Sequence, residues 1–361
     1  MLLMNAKISL GISAAILAGV IASSLFYSGS PKSLDNNVGP PSTSLRVGYF
    51  PNVNHAQAVI GLGNGDFQKQ LLKEGITVKP LVFSAGPSVI EALFANQIDV
   101  AYVGPNPAIN GYIVSGGKDP RIISGAASGG AVFVTRNDSG INSSKDFSGK
   151  KFASPQLGNT QDISLRSFLS RNGHNTRENG GDVEVTSATL QDILTLFLRK
   201  QIDGAWVPEP WGAMLEREAN GKIFIDERNL WPDGKFVTAN IIARTDYLNN
   251  NPETLKKFLS LHVNETIWIN NHKDQALLEF NAALKKLTGK VIQTDVLREA
   301  FSRVEFTYDP IKESLFKFAR DELELGFLSS KGNSQQPELS GIYDLKLLNS
   351  VLTEKGLPLI K

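Results

Sequence analysis

Apolar residues along the chain alternate between strand spacing and helical spacing, and the same order occurs twice. In each copy a strand, a helix, a second strand and a second helix precede a third strand that begins with Gln-Ile-Asp. The first two strands of each copy are predicted at 45–50 and 76–83, and again at 150–155 and 182–187. The chain therefore contains a duplicated β-α-β-α-β unit.

The third strand makes the duplication explicit. Residues 97–107 read QIDVAYVGPNP, and residues 201–210 read QIDGAWVPEP. Strands that alternate with helices form parallel sheets covered on both faces. The pattern thus predicts an α/β protein with two doubly wound lobes that face each other across a cleft.

Two apolar strands at 131–138 and 240–248 follow the two copies and are predicted to cross between the lobes. This assigns 45–135 and 240–361 to lobe 1, with a helical C-terminal extension from 249 onward, and 136–239 to lobe 2. The lobes are expected to rotate about 131–138 and 238–246. The glycine-rich stretch GAASGGAVF, 125–133, lacks phosphate-loop spacing and is interpreted as hinge and close backbone packing.

The N-terminus carries twenty uncharged, mostly apolar residues, 8–27, after Lys7. This length fits either a membrane anchor or a cleaved signal peptide within residues 1–27. The composition of 28–44 is typical of a flexible linker. Because the early positive charge precedes the apolar segment, the folded part is expected outside the cytoplasm, tethered through 8–27 if the segment is retained.

Composition excludes several classes of function. The formal net charge is +1 and no block of like charge occurs, so a nucleic-acid partner is not expected. The absence of cysteine excludes disulfides, thiol nucleophiles and zinc–cysteine sites. The four histidines are far apart in sequence, so neither a metal site nor a cofactor is predicted.

Polar residues precede several predicted helices, in patterns close to a capping box. The pairs are Asn54 with Gln57, Ser88 with Glu91, Asn159 with Asp162, and Thr189 with Asp192. One interpretation is that these residues only terminate helices. The other is that helix N-termini facing the cleft bind an anion through unpaired N–H groups.

The loops at 52–55, 84–88, 104–110 and 156–161 contain no Lys or Arg. A multiply charged phosphate usually requires arginine, so a monoanion such as a sulfonate or nitrate is the predicted ligand. The candidate ligand-binding residues are Asn54, Ser84, Gly86, Ser88, Asn106, Asn159, Thr160 and Gln161. His55 either contributes a proton or is a hydrogen-bonded neighbour.

The turn Pro-Glu-Pro-Trp adds Glu209 and Trp211. A carboxylate repels a bound anion, so Glu209 either caps the next helix or meets a cationic or hydroxyl part of the ligand. Trp211 either forms a wall for an apolar tail or belongs to the core.

Three stretches, GPSVIEALFANQIDVAYVGPNPAI, SPQLGNTQD and AWVPEPW, resemble the extracytoplasmic substrate-binding proteins of ABC importers for nitrate, sulfonates and taurine. The similarity extends from about Leu45 to Leu352. It implies a type II periplasmic-binding fold that closes on its ligand by hinge motion. The residues that match the family's pocket motifs are Ser84, Gly86, Pro87, Ser88, Gly104, Asn106, Gln156, Asn159, Thr160, Gln161, Glu209 and Trp211.

The resemblance implies a monomeric, non-enzymatic solute-binding component that delivers a small anion to a membrane permease and its ATPase. The chain departs from many bacterial members because it has no cysteine to carry a lipid anchor. Two alternatives remain: an extracytoplasmic ligand sensor, and an enzyme similar to pyrimidine-precursor synthases. The latter enzymes depend on cysteine- and histidine-rich sites, which this chain does not offer.

Overall fold

The computed structural model describes residues 43–328 and 338–361, which form two β-sheets flanked by helices. The predicted segment 1–27 and nearly all of the predicted linker lie outside the described residues. The first strand begins at Thr43, so the last two residues assigned to the linker belong to a strand. The predicted α/β class is confirmed.

The first sheet has six strands in the order β11-β4-β10-β3-β1-β2. Its strands are β1 Thr43–Tyr49, β2 Ile76–Val82, β3 Val100–Val103, β4 Arg121–Gly129, β10 Val237–Ala243 and β11 Val304–Phe306. Strands β1, β2 and β3 are parallel, and β10 runs antiparallel between β3 and β4. This sheet and its helices are the first lobe.

The second sheet has five strands in the order β7-β6-β8-β5-β9. Its strands are β5 Ala131–Arg136, β6 Lys151–Ser154, β7 Glu184–Ser187, β8 Gly204–Pro208 and β9 Gly221–Asp226. Strands β6, β7 and β8 are parallel, and β5 runs antiparallel between β8 and β9. This sheet and its helices are the second lobe. Its strands repeat the order of the first sheet, except that the second sheet, within the described residues, has no equivalent of β11.

The helices lie between and around these strands. In the first copy they are α1 Ala56–Gly63, α2 Asp66–Leu72, α3 Gly86–Phe94 and α4 Pro105–Val114. In the second copy they are α5 Thr160–Arg171, α6 Leu190–Leu198 and α7 Trp211–Glu218. The C-terminal helices are α8 Thr245–Asn250, α9 Pro252–Asn271, α10 Lys273–Thr288, α11 Thr294–Ser302, α12 Lys312–Glu324 and α13 Lys346–Glu354.

The chain passes from the first sheet to the second at Gly129 and Gly130, and returns through 227–236. Both glycines have a φ near +70°, and a Cβ on Gly130 would lie 2.4 Å from Val304 Cγ2. Only glycine fits this crossing without strain. The expected rotation about 131–138 and 238–246 stays a prediction; most of these residues are in β5 and β10, which are hydrogen-bonded on both sides, whereas the two glycines lie between the sheets.

The predicted lobes, 45–135 for lobe 1 and 136–239 for lobe 2, have boundaries that fall inside strands β5 and β10 rather than between the two sheets. Strand β5 pairs only within the second sheet, and β10, which begins at Val237, pairs only within the first. We therefore propose lobe boundaries at Gly130 and at the 227–236 connection.

The repeated Gln-Ile-Asp motif has the same structural role in both lobes. Asp99 accepts a hydrogen bond from the backbone N–H of Arg46 at 2.8 Å, and Asp203 accepts one from the backbone N–H of Lys151 at 2.9 Å. Each aspartate also pairs with an arginine at the end of the crossing strand, Arg244 at 3.4 Å or Arg136 at 3.3 Å. The aspartates thus join each central parallel strand to its antiparallel neighbour.

The C-terminal helices pack mainly on the first lobe. Helices α9, α10, α11 and α13 share one hydrophobic core with β1, β3, α1 and α2, and α12 packs with α3 and α4 in a second core. The region after 249 is not wholly helical, since β11 joins the edge of the first sheet beside β4.

Candidate functional site

A cavity of about 400 Å³, including its open mouth, lies between the two sheets. Its wall comes from both lobes and contains no Lys, Arg, Asp or Glu. The lining residues are Phe50, Asn52, Asn54, His55, Ser84, Ala85, Gly104, Pro155, Asn159, Thr160, Gln161, Leu190, Pro208 and Thr238.

Four α-helices begin at this wall, two in each lobe. Ala85 and Gly104 precede α3 and α4 in the first lobe, and Asn159 precedes α5 in the second. Leu190 is the first residue of α6. The N–H groups of a helical first turn have no partner within the helix, and the helix dipole is positive there. The cavity is therefore electropositive although it contains no cationic side chain.

The lobes touch across the cavity. A Cβ at Gly104 would lie only 2.3 Å from Thr160 Oγ1. Because residue 104 is glycine, the start of α5 can approach the start of α4 this closely. Ser88 Oγ donates to Gln156 Oε1 at 3.3 Å, and Val53 N–H donates to the Glu209 carbonyl at 3.0 Å. These contacts describe a closed arrangement of the two lobes.

Two polar atoms of the cavity wall are buried and make no hydrogen bond within the part of the chain that the structure describes. They are Asn54 Oδ1 and Thr160 Oγ1. Asn54 is itself fixed, because its amide donates to Gly129 O and Thr238 Oγ1, both at 2.9 Å. Buried polar atoms normally have a partner, so these two are available to a ligand.

His55 is a neutral residue of the wall. Burial lowers its pKa to about 3. Its Nδ1 accepts the backbone N–H of Phe50 at 3.4 Å, which leaves Nε2 as the nitrogen that carries the proton. His55 therefore adds a neutral N–H donor to the site rather than a positive charge.

The only carboxylate in the first turn of α5 is paired with an arginine. Asp162 is buried, and its two oxygens share the N–H of Arg166 Nε, which lies 3.0 Å from each. It also accepts from Ser154 Oγ and from Gly158 N–H. Arg166, which also pairs with the exposed Glu178 at 3.0 Å, offsets part of the negative charge of Asp162 beside the positive end of α5.

The structure brings seven of the predicted residues to the cavity: Asn54, His55, Ser84, Gly104, Asn159, Thr160 and Gln161. Gly86 is adjacent, since a Cβ there would lie 3.0 Å from Asn159 Oδ1. Ser88 and Gln156 form the hydrogen bond between the lobes described above. Pro87 faces a separate apolar groove beside α3.

The remaining three predicted residues do not line the cavity. Asn106 is buried beside the carboxyl group of Glu322. Glu209 is buried and pairs with Arg303 at 2.7 Å, and its carboxylate also accepts the N–H of Ala213 at 3.0 Å. Burial raises the pKa of Glu209, and the adjacent Arg303 guanidinium offsets part of that shift. Glu209 thus caps α7 and joins the lobes, as one of its two interpretations expected.

Trp211 touches the site through another residue. Its Nε1 donates to Asn52 Oδ1 at 3.3 Å, and its ring packs against the core of the second lobe. Asn52 lies in the loop after β1, next to the predicted Asn54, and could have been found from that position. Thr238 had no such signal, because it comes from β10, far along the chain.

The predicted helix caps give a mixed result. Thr189 Oγ1 accepts the N–H of Asp192, as expected for a cap. The side chains of Asn54, Ser88 and Asn159 do not cap their helices. Within residues 43–328 and 338–361, no cluster of His, Asp and Glu could hold a metal ion.

A model of the NMT1-like family matches residues 38–279, two thirds of the chain. The chain belongs to the NMT1-like family. This member is 24% identical over 315 residues to a putative aliphatic sulfonates-binding protein of Bacillus subtilis, covering 86% of this chain and 88% of that protein. It is 28% identical over 265 residues to a putative binding protein of Brucella abortus, covering 71% and 75%.

Two solved structures have the same fold as this chain. The NMT1-like protein superposes on the periplasmic nitrate-binding protein NrtA from Synechocystis with a TM-score of 0.73 and 16% identity, covering 88% of this chain and 90% of that one. The alkanesulfonate-binding protein SsuA from Xanthomonas axonopodis, bound to MOPS, gives 0.67 and 15%, covering 84% and 98%. The predicted periplasmic-binding fold is confirmed.

No helix in the described part of the NMT1-like protein is long and apolar enough to cross a bilayer. The predicted membrane segment 8–27 lies outside the residues so described.

Proposed function

We propose that this protein captures a small monoanion of the sulfonate, taurine or nitrate type between its lobes and delivers it to an ABC permease and its ATPase. One observation carries the proposal: four helix N-termini from two lobes meet at a wall with no charged side chain. Such a site favours a single negative charge and offers no counterion to a polyanion.

The relatives support this role, since their names describe sulfonate- and nitrate-binding proteins. They are binding proteins, and we propose no catalytic role for this chain. We further propose that it acts outside the cytoplasm as a monomer, tethered by residues 8–27 or released after cleavage of a signal peptide.

In the proposed mechanism the ligand bridges Asn54, His55 and the first turns of α3 and α4 on one lobe to Thr160 and Gln161 on the other. Thr160 Oγ1 is buried without a partner, and it approaches the opposite lobe at Gly104. The ligand thereby stabilises the closed form that the permease receives.

The test compares ethanesulfonate with ethanesulfonamide, its neutral analogue, by calorimetry and thermal shift. We expect the sulfonate to bind and to raise the melting temperature, whereas the sulfonamide has no effect. Taurine and nitrate complete the screen. Equal responses to the charged and neutral analogues would contradict an anion site.

A variant test addresses the second lobe. Thr160→Ala combined with Gln161→Ala should weaken binding at least tenfold, about 1.4 kcal/mol, because two donors to the ligand are removed. The control combines Gln275→Ala with Thr353→Ala, two exposed residues of the C-terminal helices. If affinity is unchanged in the Thr160 and Gln161 variant, the second lobe does not contact the ligand.

A further inference from the structure

Three polar side chains are buried behind the first turn of α4, and their polar atoms have no partner among the described residues. They are Asn106 of α4, Asn240 of β10 and Glu322 of α12, each 0% exposed. Every side-chain nitrogen and oxygen of these residues lacks a hydrogen bond of normal geometry within that part of the chain. Buried polar groups are normally paired, so this cluster calls for a functional explanation.

The fold brings the three residues to one place. The amide of Asn106 lies beside the carboxyl group of Glu322. Asn240 lies opposite Val103 in the antiparallel pair of β10 and β3, so the two side chains are on the same face of the sheet. Val103 belongs to the core that α4 and α12 share, and it precedes Asn106 by three residues. The cluster therefore lies between this sheet, α4 and α12.

Asn106 is also connected to the ligand cavity through its backbone. Gly104, which precedes α4, lines the cavity. The helix then begins Pro105-Asn106-Pro107, and since proline has no N–H, Asn106 carries the only backbone N–H among these three residues. The N–H groups of a first turn point out of the N-terminal end of the helix, which here is at the cavity. The backbone of Asn106 thus faces the cavity, while its side chain faces Glu322.

The surroundings of Glu322 favour a neutral acid. Burial raises the pKa of its carboxyl group well above the usual value; the neighbouring amide offsets part of this shift, and the charge of Asp321 adds to it. Around it, α4 contributes only Tyr112 as a titratable residue, and β10 contributes none. On α5, which also packs against α12, Arg166 and Arg171 pair with other carboxylates.

We propose that Glu322 is a positioning residue of the anion site, which acts through Asn106 and must keep its proton for tight binding. This inference rests on the proposed function and specifies how protonation regulates that same site. The neutral carboxyl group has one O–H, which can donate to Asn106 Oδ1 and fix the first turn of α4. The ionised group has no donor, and its buried negative charge opposes that of the ligand. The anion and the proton therefore bind cooperatively.

The experiment measures the Kd of ethanesulfonate by calorimetry from about pH 6 to about pH 10, because affinity is lost only where Glu322 ionises. We expect a constant Kd at the acidic end and an increase of about 5- to 150-fold at the alkaline end, the usual strength of coupling between two sites. Buffers with different ionisation enthalpies should report proton uptake on binding in the alkaline part of the range. This readout uses the wild-type protein, so it does not depend on the folding of a variant.

Two substitutions separate the charge of Glu322 from its hydrogen bond. Glu322→Gln keeps a donor and has no proton to lose, so it should bind ethanesulfonate tightly at every pH, without proton uptake. Glu322→Leu should also be independent of pH, but should bind about twofold to tenfold more weakly because Asn106 loses its donor.

The matched control is Glu265→Gln. Burial also raises the pKa of Glu265, to about 7, but this residue lies on α9 and outside the cavity wall. The control should keep the wild-type dependence of Kd on pH.

The outcomes separate the two proposals. If ethanesulfonate binds with a Kd independent of pH and without proton uptake, Glu322 has no role in the site, while the proposed function stands. If Glu322→Gln loses affinity with rising pH as the wild type does, another group is responsible and the inference is wrong. Equal affinities of Glu322→Gln and Glu322→Leu would exclude the link through Asn106. If no sulfonate, taurine or nitrate binds at any pH, the proposed function itself fails.

Discussion

The two Gln-Ile-Asp strands have nearly the same sequence and the same place in their sheets, yet their turns serve different purposes. After β3, Gly104 lies at the ligand cavity and lets α5 approach the opposite lobe. After β8, Glu209 turns away from the cavity and forms a buried ion pair with Arg303. The shared residues thus maintain the fold, whereas the turns have diverged into a ligand wall and an interlobe contact.

The comparison extends to the aromatic residue of each strand. Tyr102 O–H lies 3.0 Å from His262 Nδ1, and Trp206 Nε1 donates to Glu227 Oε2 at 2.7 Å. Both aromatic polar groups are satisfied inside the core by a titratable partner, as buried Tyr and Trp usually are. Burial shifts the pKa values of these two partners in opposite directions, lowering that of His262 and raising that of Glu227. Their contributions to stability should therefore depend on pH with opposite signs.

The largest effect is expected at the two aspartates. Asp99 is 1% exposed between Arg46 and Arg244, and Asp99→Ala should reduce the free energy of unfolding by about 3–4 kcal/mol, because the backbone N–H of Arg46 and both guanidinium groups lose a buried acceptor. Asp203 is 21% exposed, and Asp203→Ala should cost about 2 kcal/mol. Urea unfolding with an unchanged m-value measures both. Equal losses would show that the two copies are energetically equivalent.

A second effect concerns pH. Burial lowers the pKa of His262 to about 4, so the folded state binds fewer protons than the unfolded state and stability is lost as the pH falls from 6.5 towards 4. Burial raises the pKa of Glu227 to about 7, so the folded state binds more protons and stability is lost as the pH rises from 4.5 towards 7.

Each of these contributions amounts to at most about 3 kcal/mol, and they oppose each other between pH 4.5 and 6.5. Glu265, whose pKa burial also raises to about 7, adds a loss of the same sign as Glu227. Glu227→Gln should remove the Glu227 contribution, so that the stability of the variant falls less steeply with pH than that of the wild type. His262→Gln should do the reverse. Urea unfolding at several pH values between 4.5 and 7.5 measures the slopes, and a Glu227→Gln slope equal to that of the wild type refutes the assignment.

The smallest of these effects is expected at Gly104 and Pro208, the first residues after Val103 and Val207 of the two repeated strands, and it is measured as a change in ligand affinity. Gly104→Ala places a Cβ 2.3 Å from Thr160 Oγ1, which should oppose closure by about 1–3 kcal/mol and weaken ethanesulfonate binding by about 5- to 150-fold. Pro208, at the same position of the second copy, also lines the cavity. Pro208→Ala should change affinity by less than threefold. A similar loss in both variants would mean that Gly104 has no special role in closure.

Much of the site could be predicted because it follows from local order along the chain. In parallel sheets the loops after the strands meet at one edge, so Asn54, Ser84, Gly104 and Thr160 could be placed together from the strand pattern alone. The errors came from contacts between distant segments. Arg303 removes Glu209 from the cavity, and Glu322 lies beside Asn106, and neither partner is near these residues in sequence.

The crossing strands were predicted in part. Residues 131–136 and 240–243 lie in β5 and β10, whereas 245–248 belongs to α8. The pairing of β5 with β8 and β9, and of β10 with β3 and β4, joins segments far apart in the chain and could not be derived from periodicity. The glycine pair at 129–130, inside the stretch already singled out as a hinge, is where the chain leaves the first sheet.

The sequence by itself determined the duplicated α/β plan, the order of its strands and helices and the absence of cationic residues from the ligand loops, because periodicity and composition are local properties. Only the tertiary structure decided which polar residues face the cavity, which are used in ion pairs between the lobes, and that an apolar groove adjoins the site. The positions of Glu209 and Asn106 depend on the packing of α11 and α12 against the lobes, which brings Arg303 and Glu322 beside them. Contacts between such distant segments leave no periodic signal in the chain.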